Sequence, residues 1–536
     1  MKYVAAYDIG TTGLKCCLFA IDKELRLVAG QYATYNLYIL DNGGAEQDTE
    51  EWWAAMVDCT QKLLEKTGVS PEEIVGISFC SQMQGLVLVD KDCNALRRPM
   101  SYMDQRAGEE MRKTQGCGIT CAGVNVGMLL KSLRRTHAAS TSVKDPLWKY
   151  KWVQQNEPEI YDKIYKWLDV KEYLIARLTG ECIMTPDSAY ATFLYDSRAG
   201  KNCWSKELCS MYGVNMEHLP RIIGCGEVAG KLRDRQAAEL GLLPGTDVYG
   251  SGGDATLIGI GAGSTQLGDT HIYWGTSGWI ETVIKKQAVD LGAMIGGIVG
   301  AQTSRYNYFA EMETAGKCFE WVKDHLVLDE INIYLEKKDV EHSIEAKYIS
   351  LYDYMSRVIS EVSPGAGGVI FTPWLHGNRC PFEDPNAAGM FFNIKIDTHK
   401  REMLRAVIEG ICYHLRWMLE CEDKKVKTSD TIRFVGGGSL SEVTSQILAD
   451  ITGRKIETVE QAKDVGAMGA ALLVAVGSGC VNCIGDAGRM VKVKAVYTPN
   501  PDNKEVYERG YRVFKRLYKN NKKNYQILNA KTGGSK

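Results

Sequence analysis

The segment Asp8-Ile9-Gly10-Thr11-Thr12-Gly13 decides how this chain is read. A short apolar run, Tyr3–Ala6, precedes it, and another, Cys16–Ile21, follows at once. Two apolar runs around a glycine-rich tight turn predict a β-hairpin. The device recurs: His271–Trp274 leads into Gly275-Thr276-Ser277-Gly278 and then Trp279–Ile284. The two turns open at Gly10 and Gly275, about half of the 536 residues apart. So long a period excludes a solenoid and predicts two halves of similar design, residues 1–264 and 265–536.

Such turns suit polyphosphate. Glycines let oxygens approach the backbone, turn amides point at the anion, and the Thr hydroxyls add donors. One such turn says little, because hairpins use Gly and Thr anyway. One in each half predicts two loops gripping a nucleotide triphosphate across a cleft, through Thr11, Thr12, Gly275, Thr276 and Ser277. Asp8, at the strand end before the first turn, is either a turn-capping residue or a water-mediated ligand of the Mg²⁺ that accompanies a triphosphate. Near the junction of the halves stands Val248-Tyr249-Gly250-Ser251-Gly252-Gly253-Asp254-Ala255. Its glycines leave open space around the Asp254 carboxylate, where ligand clefts form. No Walker A motif and no His-Arg-Asp kinase loop occurs, which argues against a P-loop enzyme and a protein kinase.

Composition narrows the class. Lys plus Arg number 64 and Asp plus Glu 66, a formal net charge of −2, so neither nucleic acid nor an anionic membrane is an expected partner. The chain is 45% apolar and 24% charged, as globular proteins are. Its first residues reach Asp8 too soon for a signal-peptide core, and no run of about 18 apolar residues exists. A cytoplasmic location is the expectation. The 17 cysteines lack the spacing of small secreted domains and read as reduced thiols. Cys117/Cys121 and Cys480/Cys483 have metal-like spacing, but neither pair has a His or a second Cys pair close in sequence, so no zinc site is expected.

Glu73–Ser78 and Gly85–Val89 read as strands. Leu147–Gly180 reads as helical, with Pro158 as a break. Ile432–Val435 reads as a strand running into Gly436-Gly437-Gly438 and then a helix over Leu440–Ile451, a layout that frees backbone amides for a ligand. The basic stretch Lys515–Lys523 is interleaved with apolar residues and reads as the solvated face of a terminal helix.

These motifs, in their order, resemble the FGGY family of carbohydrate kinases. The resemblance runs from residue 3 to about residue 480, and within the family it is nearest to the xylulokinases. It is carried by Asp8–Thr12, Ser81-Gln82-Met83-Gln84-Gly85, Asp104-Gln105-Arg106, Lys151–Gln154 and Gly252-Gly253-Asp254. Gly275–Gly278, Gly377-Asn378-Arg379-Cys380-Pro381, Gly436–Gly438 and Asp464–Ala471 complete the set. The resemblance implies an α/β fold of two actin-like ATPase (ribonuclease H-like) domains flanking a central cleft. It implies Asp254 as the catalytic base, ATP with Mg²⁺ at Asp8, and adenosine contacts at Gly316, Gly437 and Ser441. It further implies a small ketose or polyol held by Met83, Gln84, Asp104, Arg106 and Asp254, with D-xylulose the first candidate. Three positions depart from the xylulokinase pattern: Gln84 replaces a His, Ala255 an Asn, and Tyr102–Arg106 a Trp-Asn-Asp-Gly-Arg. The stretch after Asp104 also resembles kinases of the autoinducer-2 signal. A non-catalytic actin-like nucleotide sensor is the alternative from another class. The sequence is silent on oligomeric state, which leaves a homodimer open.

Overall fold

The computed structural model describes residues 2–326, 353, 354 and 356–530, apart from Lys23, Ala122 and Thr303. The first hairpin is β1 (Lys2–Ile9) and β2 (Gly13–Ile21), followed by β3 (Leu25–Thr34), helix α1 (Thr49–Thr67) and β4 (Ile74–Ser81). Helix α2 (Val170–Thr179) precedes β5 (Val228–Lys231), β6 (Asp247–Tyr249), β7 (Gly252–Gly253) and α3 (Asp254–Gly261). The sheet order is β5-β6-β4-β1-β2-β3, with β7 also on β4. The β1–β2 and β2–β3 pairs are antiparallel, and β4 runs parallel to β1.

The second half repeats this plan. It runs β8 (Thr270–Trp274), β9 (Gly278–Ile284), β10 (Val289–Asp290), β11 (Ile295–Val299), β12 (Tyr306–Met312), then α4 (Gly316–His325) and α5 (Lys400–Glu422). Next come β13 (Thr431–Val435), α6 (Glu442–Thr452), β14 (Lys455–Val459), α7 (Val465–Gly477), β15 (Val493–Tyr497) and α8 (Lys504–Asn529). Its order is β10-β11-β12-β9-β8-β13-β14-β15. The run β12-β9-β8-β13-β14 matches β3-β2-β1-β4-β6 in strand direction as well as in order. The repeated hairpin is therefore the visible trace of a repeated five-strand unit.

Strand alternation explains why the hairpin strands read as continuous apolar runs. Along β1, Ala5, Tyr7 and Ile9 enter the core beneath α1, while Val4 and Ala6 enter a second core between the halves. A strand buried on both faces loses its polar alternation. Helix α7 shows the same logic, since it is buried from Val465 to Ala475 and apolar all round. It crosses α3 at backbone contact. A Cβ on Gly261 would lie 1.8 Å from the Val465 carbonyl oxygen, and one on Gly469 only 2.2 Å from that of Leu257. Only glycine allows that approach.

The stretch 147–180 departs from the helical expectation. It is the helix Pro146–Asn156, a turn at Pro158–Tyr161, the strand Lys166–Leu168 and then α2. Trp167 and its neighbours pair antiparallel with Val87–Val89, a partner that local periodicity cannot reveal. The helix after Gly436–Gly438 starts at Glu442, because Gly437–Leu440 form a 3₁₀ turn and Ser441 caps the helix. The basic stretch at 515–523 lies in α8, with Phe514, Leu517 and Tyr525 buried in a third core, built mainly from the second half. Among the described residues no helix is long and apolar enough to cross a membrane.

Candidate active site

Both turns turn their carbonyls inward. At the first, Gly10 N donates to Gly13 O at 2.9 Å, and Tyr35 Oη donates to the carbonyls of Gly10 (2.5 Å) and Gly13 (3.0 Å). Tyr35 N takes the Thr12 carbonyl, and Gln47 Nε2 the Thr11 carbonyl at 2.6 Å. Gln82 in turn donates to Gln47 at 2.9 Å. With its acceptors engaged, the turn presents donors: Thr12 is exposed and Thr11 half-buried. At the second turn the start of α4 does the same work. Gly316 N donates to Gly275 O at 2.8 Å, and Ala315 N and Lys317 N both reach Thr276 O at 3.1 Å. Thr276 is exposed, and Ser277 half-buried. Gly316, expected at the adenosine, thus stands directly behind the second phosphate turn.

The sheet sets the carboxylates beside the first turn. Asp8 on β1 pairs with Cys80 on β4, which pairs with Gly252 on β7. Adjacent strands lie about 4.8 Å apart, so Asp8 and the strand end leading into Asp254 are roughly 10 Å apart across the sheet. Met83 packs over Gly253, where a Cβ would lie 2.2 Å from its sulfur. Asp254 opens α3, and its Oδ1 accepts from Ala255 N at 2.7 Å. Burial pushes the Asp254 carboxyl up to about 7. The Ala255 amide opposes the rise, and the charges of Asp8 and Glu311 add to it. Beneath it, Asp187 accepts from Gly253 N at 2.7 Å. Burial works against that charge, but Lys171 and the donors around Asp187 hold it below the usual carboxylate range.

Asp8 touches the start of α7, where a Cβ on Gly466 would lie 2.6 Å from its Oδ2. Lys15, opposite Asp8 in the β1–β2 ladder, bridges to Asp464 at 2.9 Å. Burial raises the pKa of Asp8, Lys15 and Cys80 oppose it, and Asp464 adds to it. Carboxylates crowded at a cleft with one neighbouring ammonium fit a hydrated cation. No group of three or more His, Cys, Asp or Glu among the described residues is arranged to hold a metal. That donor set suits Mg²⁺ kept largely by water and phosphate.

On the substrate side, Gln84 sits at φ 63°, and its carbonyl accepts from Lys149 Nζ at 2.7 Å. Burial pushes the Lys149 ammonium down to about 8, with Asp104, Asp169 and Asp145 opposing. Asp104 and Arg106 differ from expectation in being turned inward. Asp104 is fully buried, accepts from Ala45 N at 2.9 Å and pairs with Arg106 at 2.7 Å. Arg106 also bridges to Glu46 and lies over the Trp152 ring. Their charges are satisfied within the protein, by each other and by Glu46. Ser441 is likewise engaged: it caps α6 by accepting from Thr444 N, and its hydroxyl meets that of Ser356 at 2.5 Å. Gly437 is half-buried at the turn beside it.

Four groups escaped the sequence reading: Lys149, Asp187, Glu311 and Lys15, the partner of the motif residue Asp464. Lys149 carried one signal, since it stands one helical turn before the buried Val153. The others come together only through tertiary contacts. Glu311, at the end of β12, meets Arg379 at 2.6 Å, which brings the Gly377–Pro381 motif to the base.

Models of the FGGY family of carbohydrate kinases match this chain, the N-terminal domain over residues 3–261 and the C-terminal domain over 270–478. The chain is 26% identical to the xylulose kinase of Bacillus subtilis, over 97% of this chain and 98% of that relative. It is also 26% identical to the gluconokinase of the same organism, over 94% and 93%. The fold superposes on a ligand-bound xylulose kinase from Lactobacillus acidophilus with a TM-score of 0.83, at 24% identity over 98% of this chain and all of that one. With a family model on each half, the chain belongs to the FGGY family of carbohydrate kinases and is a sugar kinase phosphotransferase.

Proposed function

We propose that the protein transfers the γ-phosphoryl group of ATP to a hydroxyl of a small open-chain ketose or polyol, with D-xylulose the first candidate. The reading is carried by one observation: the raised carboxylate of Asp254 at a strand end beside the first of two donor-presenting turns. The substrate hydroxyl oxygen attacks the γ-phosphorus while Asp254 takes its proton. The bond from that phosphorus to the bridging oxygen breaks, and ADP leaves with the electron pair. Thr11, Thr12, Gly275, Thr276 and Ser277 position the phosphates, and Asp8 would hold Mg²⁺ through water. When bound, that ion neutralises phosphate charge, and positioning with neutralisation supplies most of the acceleration in phosphoryl transfer. Met83 and Gln84 face the acceptor sugar.

A second reading, a sugar acid as acceptor, is favoured by the likeness to a gluconokinase and by the Lys149 ammonium bonded to the Gln84 carbonyl. A coupled ADP-release screen over ketoses, polyols and aldonates decides between them, and one class should stimulate release strongly. ADP release unaffected by any of them would favour a nucleotide sensor, and release stimulated by an autoinducer-2-type derivative alone would redirect the substrate. Gln84→His with Ala255→Asn should move kcat/KM toward D-xylulose. An unchanged ratio would remove these two positions from the substrate argument.

A further inference from the structure

Behind the catalytic helix lies a pocket that the kinase reaction does not use. It sits between α3 and β9, with a volume of about 30 Å³, room for one water-sized particle. Thr256, Ser264 and Glu281 line it and are 1%, 3% and 1% exposed. Each has a side-chain oxygen without a hydrogen-bond partner among the described residues: Thr256 Oγ1, Ser264 Oγ and Glu281 Oε2. An unsatisfied buried polar atom costs about 1–3 kcal/mol, so three around one void call for a hydrophilic occupant.

Charge decides what that occupant is. Burial pushes the Glu281 carboxyl well up, and the charges of two further buried carboxylates, Glu422 and Asp254, add to the rise, so its ionised form calls for a cation beside it. His271 Nδ1 lies 4.0 Å from Glu281 Oε1, on a ring that burial keeps neutral. His271 Nε2 already accepts from Trp279 Nε1 at 3.3 Å. Arg305 stands at the pocket, but its guanidinium donates to the Thr265 carbonyl, and no ion pair joins it to Glu281 among the described residues. Neither Arg305 nor the neutral His271 ring thus forms an ion pair with the Glu281 carboxylate among the described residues. His271 Nδ1 is unpartnered too, but the three orphaned groups that line the pocket are hard oxygens, which select hard cations. One carboxylate and two hydroxyls in so small a space suit a single charge. Mg²⁺ demands an octahedron and keeps several waters, for which there is no room.

We propose that this pocket binds a monovalent cation of the sodium or potassium class, held by the Glu281 carboxylate and the Thr256 and Ser264 hydroxyls. Thr256 stands two residues beyond Asp254 on α3, and Glu281 lies on the strand that follows the second phosphate turn. The ion would tie the helix of the base to the strand of that turn.

The test uses the full-length protein without substrate, so its failure is separate from failure of the kinase reading. Thermal melts in potassium, sodium, lithium and choline chloride at equal ionic strength should differ. Potassium or sodium should raise Tm by about 2 °C or more over choline. Glu281→Gln and, independently, Ser264→Ala should remove the difference, so either variant serves if the other fails to fold. Crystals soaked in thallium(I) should show an anomalous peak in the pocket. Equal melts in all four salts, or an ordered water with no anomalous peak, would overturn the proposal.

Discussion

The two turns share a backbone plan and differ in chemistry. In the first half, Asp8 faces Lys15 across the ladder. At the matching rungs of the second half, Tyr273 faces Trp279, and the rings stack with centroids 4.1 Å apart. The first turn is braced by the side chains of Tyr35, Gln47 and Gln82, and the second by the backbone amides of 315–317. Duplicated architecture has been divided in labour. On the proposed function, both halves offer hydroxyls to phosphate, and the first alone adds the carboxylates Asp8 and Asp254 for metal and proton.

Removing the base should break this asymmetry most. Asp254→Ala should lower turnover by about 10²–10⁴-fold while calorimetry finds nucleotide affinity unchanged. Asp254→Asn carries a stability signature of defined sign. The folded pKa of Asp254 lies above its unfolded value, so folding favours its proton. Stability from this group is full below the unfolded pKa and falls as pH rises toward about 7. Asp254→Asn should therefore add about 4 kcal/mol of stability at pH 8, read as a higher Tm, and leave Tm nearly unchanged at pH 4. An unchanged melt at pH 8 would mean that the carboxylate is not strained by its site.

The next effect separates the two rungs. Asp8→Asn should raise the Mg²⁺ concentration needed for half-maximal rate about tenfold or more, as loss of a charged partner worth about 1.5–3 kcal/mol implies. Tyr273→Phe should leave that requirement unchanged, and titration of both variants with MgCl₂ reads the contrast. The hydroxyls of the turns should instead behave alike. Thr12→Val and Thr276→Val should each raise the KM for MgATP by about tenfold and spare that for the sugar. Unequal losses would show that one turn dominates the grip. The smallest effect belongs to Glu311→Gln. Its charge helps to raise the pKa of Asp254, and the base acts only when deprotonated. The acid limb of kcat/KM should move to lower pH, and a move to higher pH would remove Glu311 from the neighbourhood of the base.

The repeated hairpin was legible because β1 and β9 are buried on both faces and their turns are punctuated by glycine. Asp254 was legible for the same reason, as a carboxylate released by Gly252 and Gly253. What lay beyond reach was the direction of side chains in the connections. Asp104 and Arg106 occupy a recognisable stretch, yet nothing local tells that their charges close on each other and on Glu46. Ser441 enters the sequence reading only as an implied adenosine contact, and its bond to Thr444 N shows it also capping α6. Asp187 reaches Gly253 across 66 positions, a contact with no sequence signature.

The crossing of α3 and α7 can be considered as a mechanical bearing. Under any rotation, displacement grows with distance from the axis. Asp254 opens α3, whose eight residues span about 12 Å, and Asp8 abuts Gly466 at the start of α7. Both carboxylates therefore sit beside the bearing, where a rocking of one half against the other would move them least. Groups farther out would sweep larger arcs and carry the opening and closing of the cleft. A side chain introduced at Gly261 or Gly469 would act as a wedge in that bearing, altering the angle between the halves before it altered any reacting group.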